Sequence, residues 1–589
     1  MKILFINHKQ TQCGVYEFGR NISLALKKSS KHTFSYYECG SAAELQTAAE
    51  KENPALIVYN YHPSTLSFVT AAVTRKIKCP QIGLIHEVTQ LVADQADNSL
   101  FNFHIAHDPT LLLKNPLVFK AGRLIPRYEN EFEPPATTTI GSFGFAGKKG
   151  HKRIVEMVQE EFDRAVVRIN IPFSTFGDRD GAMAKAIAEE CRAVLTNKNI
   201  KLEISHDFLE EAQLFDFLAQ NTINLFLYEP MTEQRGISGA TDTALAVKRP
   251  IGITRQTMFR HILGAVPSIC VEDNSIKEII ENGIEPLIPF YDEWSEKVIC
   301  WDYERIVEDV ISRSSTPQIK REDNRLRKNL SRTKQFIKRK LGRTATEEFS
   351  WIGDTSINKL LVARSKTTAY QPAKIPDGWA LNNILDDKAR KFYARTIEQM
   401  FDLVPDLMNR KIPEANVQQA FVLDSVYKII SKIENPKVLC VGSFEDSAAE
   451  SLKLLGFKIE EIDPMINYDL DVFMTKPTTF ENSFDVIFST SVIEHVEQDE
   501  KFMMQIASLL KKGGTAILTC DYSDAYKSGD SKPLVDFRLY TQKDLKERLL
   551  ARLANCELID EPQWNCPHPD FWYDGVNYTF ASLAMRKIN

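Results

Sequence analysis

Short hydrophobic runs alternate with helix-period segments from the first residues onward. KILFIN (2–7), ALIVYNY (55–61), QIGLIHE (81–87), FNFHIAH (101–107) and RLIPRY (123–128) read as strands, with a helix expected after Gly19. Continuous apolar runs separated by helical stretches predict a parallel α/β sheet covered on both faces. After the proline-containing EFEPPATTT a second series opens with IGSFGFAG and continues through AVVRINIPF, IKLEISHDF, INLFLYE and KRPIGIT. A third begins at Asn435, where VLCVGSFEDSAAESLKLLGFKIEEIDP reads as strand, tight turn, helix and strand, ending on an acidic residue. The expected units are two successive Rossmann-like domains over 1–134 and 135–311 and a third α/β domain over 435–589. Residues 312–434 between them read as a basic helix and a helical linker.

That linker breaks the pattern. From Ile319 to Leu341 the apolar residues Ile319, Leu326, Leu330, Ile337 and Leu341 share a narrow stripe, and the rest is crowded with Arg and Lys. Such a helix either docks its stripe on neighbouring domains or lies on an anionic membrane surface. Residues 349–432 are polar with helical stretches such as KARKFYARTIEQMFDLV.

With 589 residues the chain is too long for one core. A net charge of -6 offers no basic field for nucleic acid. The ten cysteines show neither a CxxC pair nor a His/Cys ligand spacing, so neither a disulfide framework nor a zinc site is indicated. No run approaches the ~18 apolar residues of a membrane span, and MKILFIN lacks the layout of a signal peptide. A cytoplasmic protein is expected, peripheral to the inner face of the membrane if the basic helix binds lipid; homo-oligomerisation is left open.

Four landmarks lie in the first two units. The loop HKQTQCGVYEFGRNISLAL places Gly14 and Gly19 near a helix start, where free N–H groups suit a diphosphate. LIHE puts His86 and Glu87 at a strand's carboxyl end. GFAGKKGHKR carries Lys148 and Lys149 at a glycine turn. YEPMTEQRGISGATDTALAVKRPIGIT carries Glu233, Arg235, Gly236 and Gly239 ahead of a small-residue helix and a proline turn. Together these resemble the GT-B glycosyltransferases, in particular the retaining enzymes that use nucleotide-sugar donors. The resemblance implies His86 and Glu233 as catalytic groups, with Gly14, Lys148, Lys149, Arg235, Gly236 and Gly239 as donor contacts. The two glutamates that the family sets eight positions apart fall, aligned through Ala244 and Pro250, on Arg235 and Thr243; Glu233 and Asp242 are the nearest carboxylates. That departure admits a second reading, a module that binds glycans without transferring them.

In the third unit the opening loop is followed by NSFDVIFSTSVIEHV, LLKKGGTAILT and LYTQKDLKERL. This order resembles the class I S-adenosylmethionine-dependent methyltransferases. The resemblance implies Gly442 at the cofactor loop and Asp463 on the ribose, with Ser443, Glu445 and Asp446 toward the methionine end and Asp469 or Asp471 near the adenine. Phe444 and Asp446 stand where later glycines are usual. His495 is a candidate base, with Asp521 and Tyr522 as second candidates, and no metal is expected. The expected whole is a bifunctional glycosyltransferase and O-methyltransferase acting on a surface glycan or its lipid-linked precursor; the alternative is a methyltransferase with a glycan-binding module.

Overall fold

The computed structural model describes residues 1–11, 13–130, 132–173, 178–230, 236–315, 370–553 and 555–588. Glu233, Arg235 and the basic helix 319–341 lie outside the described residues. The chain divides into two compact units, one over residues 1–316 and one dominated by 364–589.

The first unit holds two all-parallel sheets. Strands β1 (Lys2–Asn7), β2 (Thr33–Glu38), β3 (Leu56–Tyr59), β4 (Gln81–Ile85), β5 (Phe103–Ala106) and β6 (Val118–Lys120) form the first, in the order β2-β1-β3-β4-β5-β6. Strands β7 (Thr139–Phe143), β8 (Ala165–Asn170), β9 (Ile200–Ser205), β10 (Ile223–Phe226) and β11 (Ile251–Ile253) form the second, in the order β11-β10-β7-β8-β9. Every residue of β3 and β10 is buried, as expected where helices cover both faces. This is the GT-B architecture, and its last helix, Glu296–Ser315, leaves the second lobe to finish on the first. Ile299, Ile306, Val307 and Val310 are fully buried there among Ile3, Phe5, Ile22 and Leu26. Each such side chain contributes about 1.5–3 kcal/mol of burial.

Two sequence expectations are corrected in this unit. The first helix runs Gly14–Leu26, so Gly19 lies inside it. Its hydrogen faces the Asn60 amide, and a Cβ there would come within 2.3 Å of Asn60 Nδ2. RLIPRY is not a strand; the sixth strand is VFK, and Arg123 and Ile125 instead cross to the second lobe, Ile125 N–H donating to Trp294 O at 3.2 Å.

The lobes are fastened by reciprocal buried ion pairs. Arg123 of the first lobe pairs with Asp242 of the second through Nε (2.9 Å) and Nη2, and Arg260 of the second pairs with Asp108 of the first in the same manner, Nε at 2.9 Å. Arg260 also donates to Val88 O (3.0 Å) and to Thr257 O (2.8 Å).

The second unit is built on β12 (Val438–Val441), β13 (Ile459–Ile462), β14 (Phe484–Thr490), β15 (Leu510–Tyr522), β16 (Cys556–Leu558), β17 (Phe571–Tyr573) and β18 (Val576–Lys587). The order is β13-β12-β14-β15-β18-β16, with β17 pairing β18. β18 is antiparallel between β15 and β16, and the other neighbours along β13-β12-β14-β15 are parallel. That is the Rossmann-like methyltransferase order, ending on β13 with no strand outside it among the described residues. Residues 370–434, read from sequence as linker, pack into this same core: Ala420, Phe421, Leu423 and Val426 of the helix Asn416–Ile430 are fully buried with Val438, Val486 and Ile517.

Candidate functional site

In the first unit the loops at the carboxyl ends of the strands meet where the lobes touch. His86 follows β4, and its Nε2 lies 2.7 Å from Asn60 Oδ1. Burial first, then the neighbouring His107, His62, Arg123 and His8, pull its imidazole down to about 3, so it is neutral at physiological pH. Glu87, with φ +53°, exposes its side chain, and its backbone receives Gly236 from the other lobe; a Cβ on Gly236 would sit 2.3 Å from Glu87 Cα. The glycine is thus needed for lobe contact.

In the second lobe the Lys149 ammonium lies 3.8 Å above the Tyr228 ring, whose hydroxyl is 3.1 Å from Ser238 Oγ. Tyr228 therefore joins the lysine loop to the loop before the helix Ala240–Leu245. Lys148 contributes its carbonyl to Glu229 N–H at 3.1 Å. Gly14 opens its helix with no heavy atom near its hydrogen, and Gly239 caps the next helix in equally open space. Thr243 turns its hydroxyl back on Gly239 O (3.1 Å), and Asp242 is committed to Arg123, with His261 at 3.4 Å. Neither offers a carboxylate to the cleft.

In the second unit the turn after β12 needs its glycine twice over. Gly442 has φ +81°, a region open to glycine, and a Cβ would meet Val492 Cγ2 at 2.4 Å. Gly442 N–H donates to Ile462 O at 2.8 Å, which ties the turn to the end of β13. Asp463 stands at that end, accepting from Met465 N–H (2.7 Å) and Phe444 N–H (3.3 Å), and burial raises its carboxyl above the usual range.

The remaining loop candidates separate. Asp446 caps a helix: one oxygen accepts from Ala449 N–H at 2.7 Å, the other from Gln419 Nε2 at 3.1 Å, and the residue is buried. Asp469 caps the next short helix through Val472 N–H (2.8 Å), and Asp471 is exposed and pairs with Lys501. Ser443 Oγ, Glu445 Oε1, Gln418 Oε1 and Thr490 Oγ1 are buried with no hydrogen-bond partner among the described residues, Glu445 having only the Arg410 guanidinium at 3.3 Å. Buried polar atoms are nearly always satisfied. These four, on one loop, one strand end and the helix Asn416–Ile430, are what a ligand carrying an ammonium and hydroxyls would complete, so the residues fit a cofactor of the S-adenosylmethionine type.

Beside that turn a cleft open to solvent is lined by Gln418, Thr490, Ser491, His495, Asp521 and Asp536, with an aromatic wall of Phe571, Tyr573, Tyr578 and Phe580. His495 Nδ1 faces two acceptors, Asp536 Oδ1 at 3.1 Å and Val535 O at 3.4 Å. The proton of the neutral ring therefore sits on Nδ1 and the lone pair on Nε2. Glu494 is fully buried, accepts from Ser491 Oγ at 2.6 Å, and is pushed up to about 8 by burial first and then by the Asp521 charge. Tyr578 donates to Asp521, and burial raises its phenol. Asp536 was not found from sequence, since it lies 41 residues beyond His495 in a loop of ordinary polar composition. Among the described residues no group of three or more His, Cys, Asp or Glu is placed to hold a metal ion, and no helix is long and apolar enough to cross a membrane. All ten cysteines are free thiols.

The family model described as "Methyltransferase domain" matches residues 461–518, from β13 into β15. Over 98 residues the chain is 35% identical to phosphoethanolamine N-methyltransferase 2 of Caenorhabditis elegans, a stretch that is 16% of this chain and 22% of that protein. The chain thus spans about a fifth of the length of that curated relative. Among solved structures it is similar to a glycosyltransferase from Rickettsia africae ESF-5 (11% identity, 53% of this chain and 98% of that one, TM-score 0.39). It is also similar to sucrose-phosphate synthase from Thermosynechococcus elongatus (11%, 53% and 99%, TM-score 0.38) and to TehB from Haemophilus influenzae (18%, 28% and 61%, TM-score 0.20).

Proposed function

We propose that the chain is a transferase with two activities, a nucleotide-sugar-dependent glycosyltransferase in the first unit and an S-adenosylmethionine-dependent O-methyltransferase in the second, acting on a surface glycan or its lipid-linked precursor. The observation that carries the methyl-transfer half is the turn at Gly442 and the carboxylate at Asp463, set beside a cleft holding the His495–Asp536 pair. The chemistry the cofactor supplies when bound is a methyl group on a sulfonium, which needs alignment and a route for the acceptor's proton. Asp463 would accept from the ribose hydroxyls of the bound cofactor, and Glu445 and Gln418 would supply acceptors for its ammonium. His495 takes the acceptor hydroxyl's proton at Nε2, and the Asp536 carboxylate beside Nδ1 balances the imidazolium that forms. Glu494, neutral at pH 7, avoids adding a third negative charge behind the histidine.

For the first unit, Lys149 and the glycines at 236 and 239 support donor binding, and nothing in the described residues replaces the family's two glutamates. Asp242 locked to Arg123 and Thr243 folded back on Gly239 favour the second reading, a glycan-binding module that serves the methyltransferase. The test is incubation of the full chain with labelled S-adenosylmethionine, nucleotide sugars and a glycan acceptor. Transfer of both labels is expected. Methyl transfer without sugar transfer selects the second reading, and transfer of neither refutes both.

A further inference from the structure

His86 stands at one end of a chain of buried hydrogen bonds in which every direction can be assigned. Asn60 Nδ2 lies 2.8 Å from Asn7 Oδ1 and 2.7 Å from Val15 O, a carbonyl that only accepts. Asn60 must therefore point its amide nitrogen at those two and its oxygen at His86 Nε2, 2.7 Å away, which fixes the proton on Nε2. Asn7 Oδ1 also accepts from His8 N–H at 2.9 Å, so Asn7 Nδ2 is the donor to Tyr16 O (3.0 Å) and Tyr36 Oη (3.0 Å). Tyr36 passes its own proton to Glu38 Oε1 at 2.9 Å, where Tyr16 Oη also donates at 2.7 Å. Reversing either amide would set oxygen against oxygen. Asn7 and Asn60 are fully buried, so an unmet polar group there would cost about 1–3 kcal/mol. Gly19 is the residue whose missing side chain lets both amides close the chain under the first helix.

We propose that Asn60 is a positioning residue that holds His86 as the neutral Nε2–H tautomer, so that Nδ1 is the lone-pair nitrogen offered to the ligand of the first unit. The surroundings agree: burial first, and then His107, His62, Arg123 and His8, all disfavour a second proton on the ring. A neutral imidazole with its lone pair outward recognises a hydroxyl or an N–H and is indifferent to a phosphate oxygen. His86 therefore presents an acceptor to the ligand, a role that rests on the reading of this unit as a sugar-nucleotide binder.

The test is histidine-selective ¹⁵N NMR of the full chain, with the His86 ring signals identified by their loss in His86→Gln. The expected free protein shows the Nε2–H pattern with no protonation between pH 8 and 5, and Asn60→Asp brings His86 into titration inside that window. An Nδ1–H pattern, or a wild-type His86 titrating near the ordinary histidine value, overturns the proposal whether or not either variant folds, since the other histidines can be assigned by replacement in turn. UDP-glucose or UDP is expected to move the Nδ1 resonance when it binds; a bound nucleotide that leaves the resonance in place overturns the presentation of Nδ1 to the ligand. Failure of either nucleotide to bind refutes the donor-binding reading, while the tautomer of the free protein still decides the role of Asn60.

Discussion

Removing Arg260 tests how firmly the two lobes of the first unit are fastened. In Arg260→Met the Asp108 carboxylate, which has no exposure to solvent, loses both guanidinium hydrogen bonds, and Val88 O and Thr257 O lose one each. A buried ion pair stripped of one partner costs about 3–5 kcal/mol, because the remaining charge keeps its desolvation penalty. In a unit of this size that lowers the midpoint of thermal unfolding by on the order of 10 °C. The double variant Arg260→Met/Asp108→Leu removes both charges, and since apolar replacement of a whole buried pair is often neutral or better, it is expected to recover most of the loss. Calorimetry of the full chain, reading the transition of the first unit separately from that of the second, measures Arg260→Met, Asp108→Leu and the double variant. A single-variant loss below ~1 kcal/mol, the value of an exposed pair, or a double variant as poor as the sum of the singles, would refute the reasoning.

Three further outcomes follow from the second unit. Gly442→Ala forces a side chain into positive φ and against Val492, and S-adenosylmethionine affinity by calorimetry is expected to fall at least ~10-fold, with Val492→Ala relieving only the contact and not the backbone strain. Asp536→Asn keeps shape but removes the negative charge that balances the histidine, so methyl transfer is expected to drop ~10²-fold or more with cofactor affinity unchanged. Glu494 titrates near its ordinary 4.5 when unfolded and near 8 when folded. The folded state binds the extra proton between those values, so this group's contribution to stability is complete at low pH and is lost as pH rises through about 8; Glu494→Gln is expected to flatten that part of a urea-denaturation pH profile.

The strands were legible because buried parallel strands write themselves as unbroken apolar runs, and KILFIN, INLFLY and VLCV emerged within a residue or two of their positions. Gly19 misled the reading of the first helix, since a glycine inside a helix signals a break unless a partner demands the space, and Asn60 is 41 residues away. Residues 370–434 read as linker because their polar positions are conspicuous while the helix Asn416–Ile430 hides its apolar ones among other elements. Gly442 and Asp463 could be read together because loop and strand end fall within one local unit. Asp446 has the same composition signal but caps a helix, a difference that only geometry shows. Asp536, Arg123 and Arg260 were invisible, because each meets its partner across long stretches of chain.

The helix Glu296–Ser315 has a bearing on how the protein is made. It completes the core of the first sheet with Ile299, Tyr303, Ile306, Val307 and Val310, although the first sheet's last strand ends at Lys120. At ~5–20 residues per second, a ribosome that has finished the first lobe needs roughly 10–35 s more to deliver that helix. Throughout that interval the nascent lobe carries an uncovered apolar face, which is what holdase chaperones bind. A fragment cut between β6 and β7 never receives its cover and leaves that apolar face open to solvent.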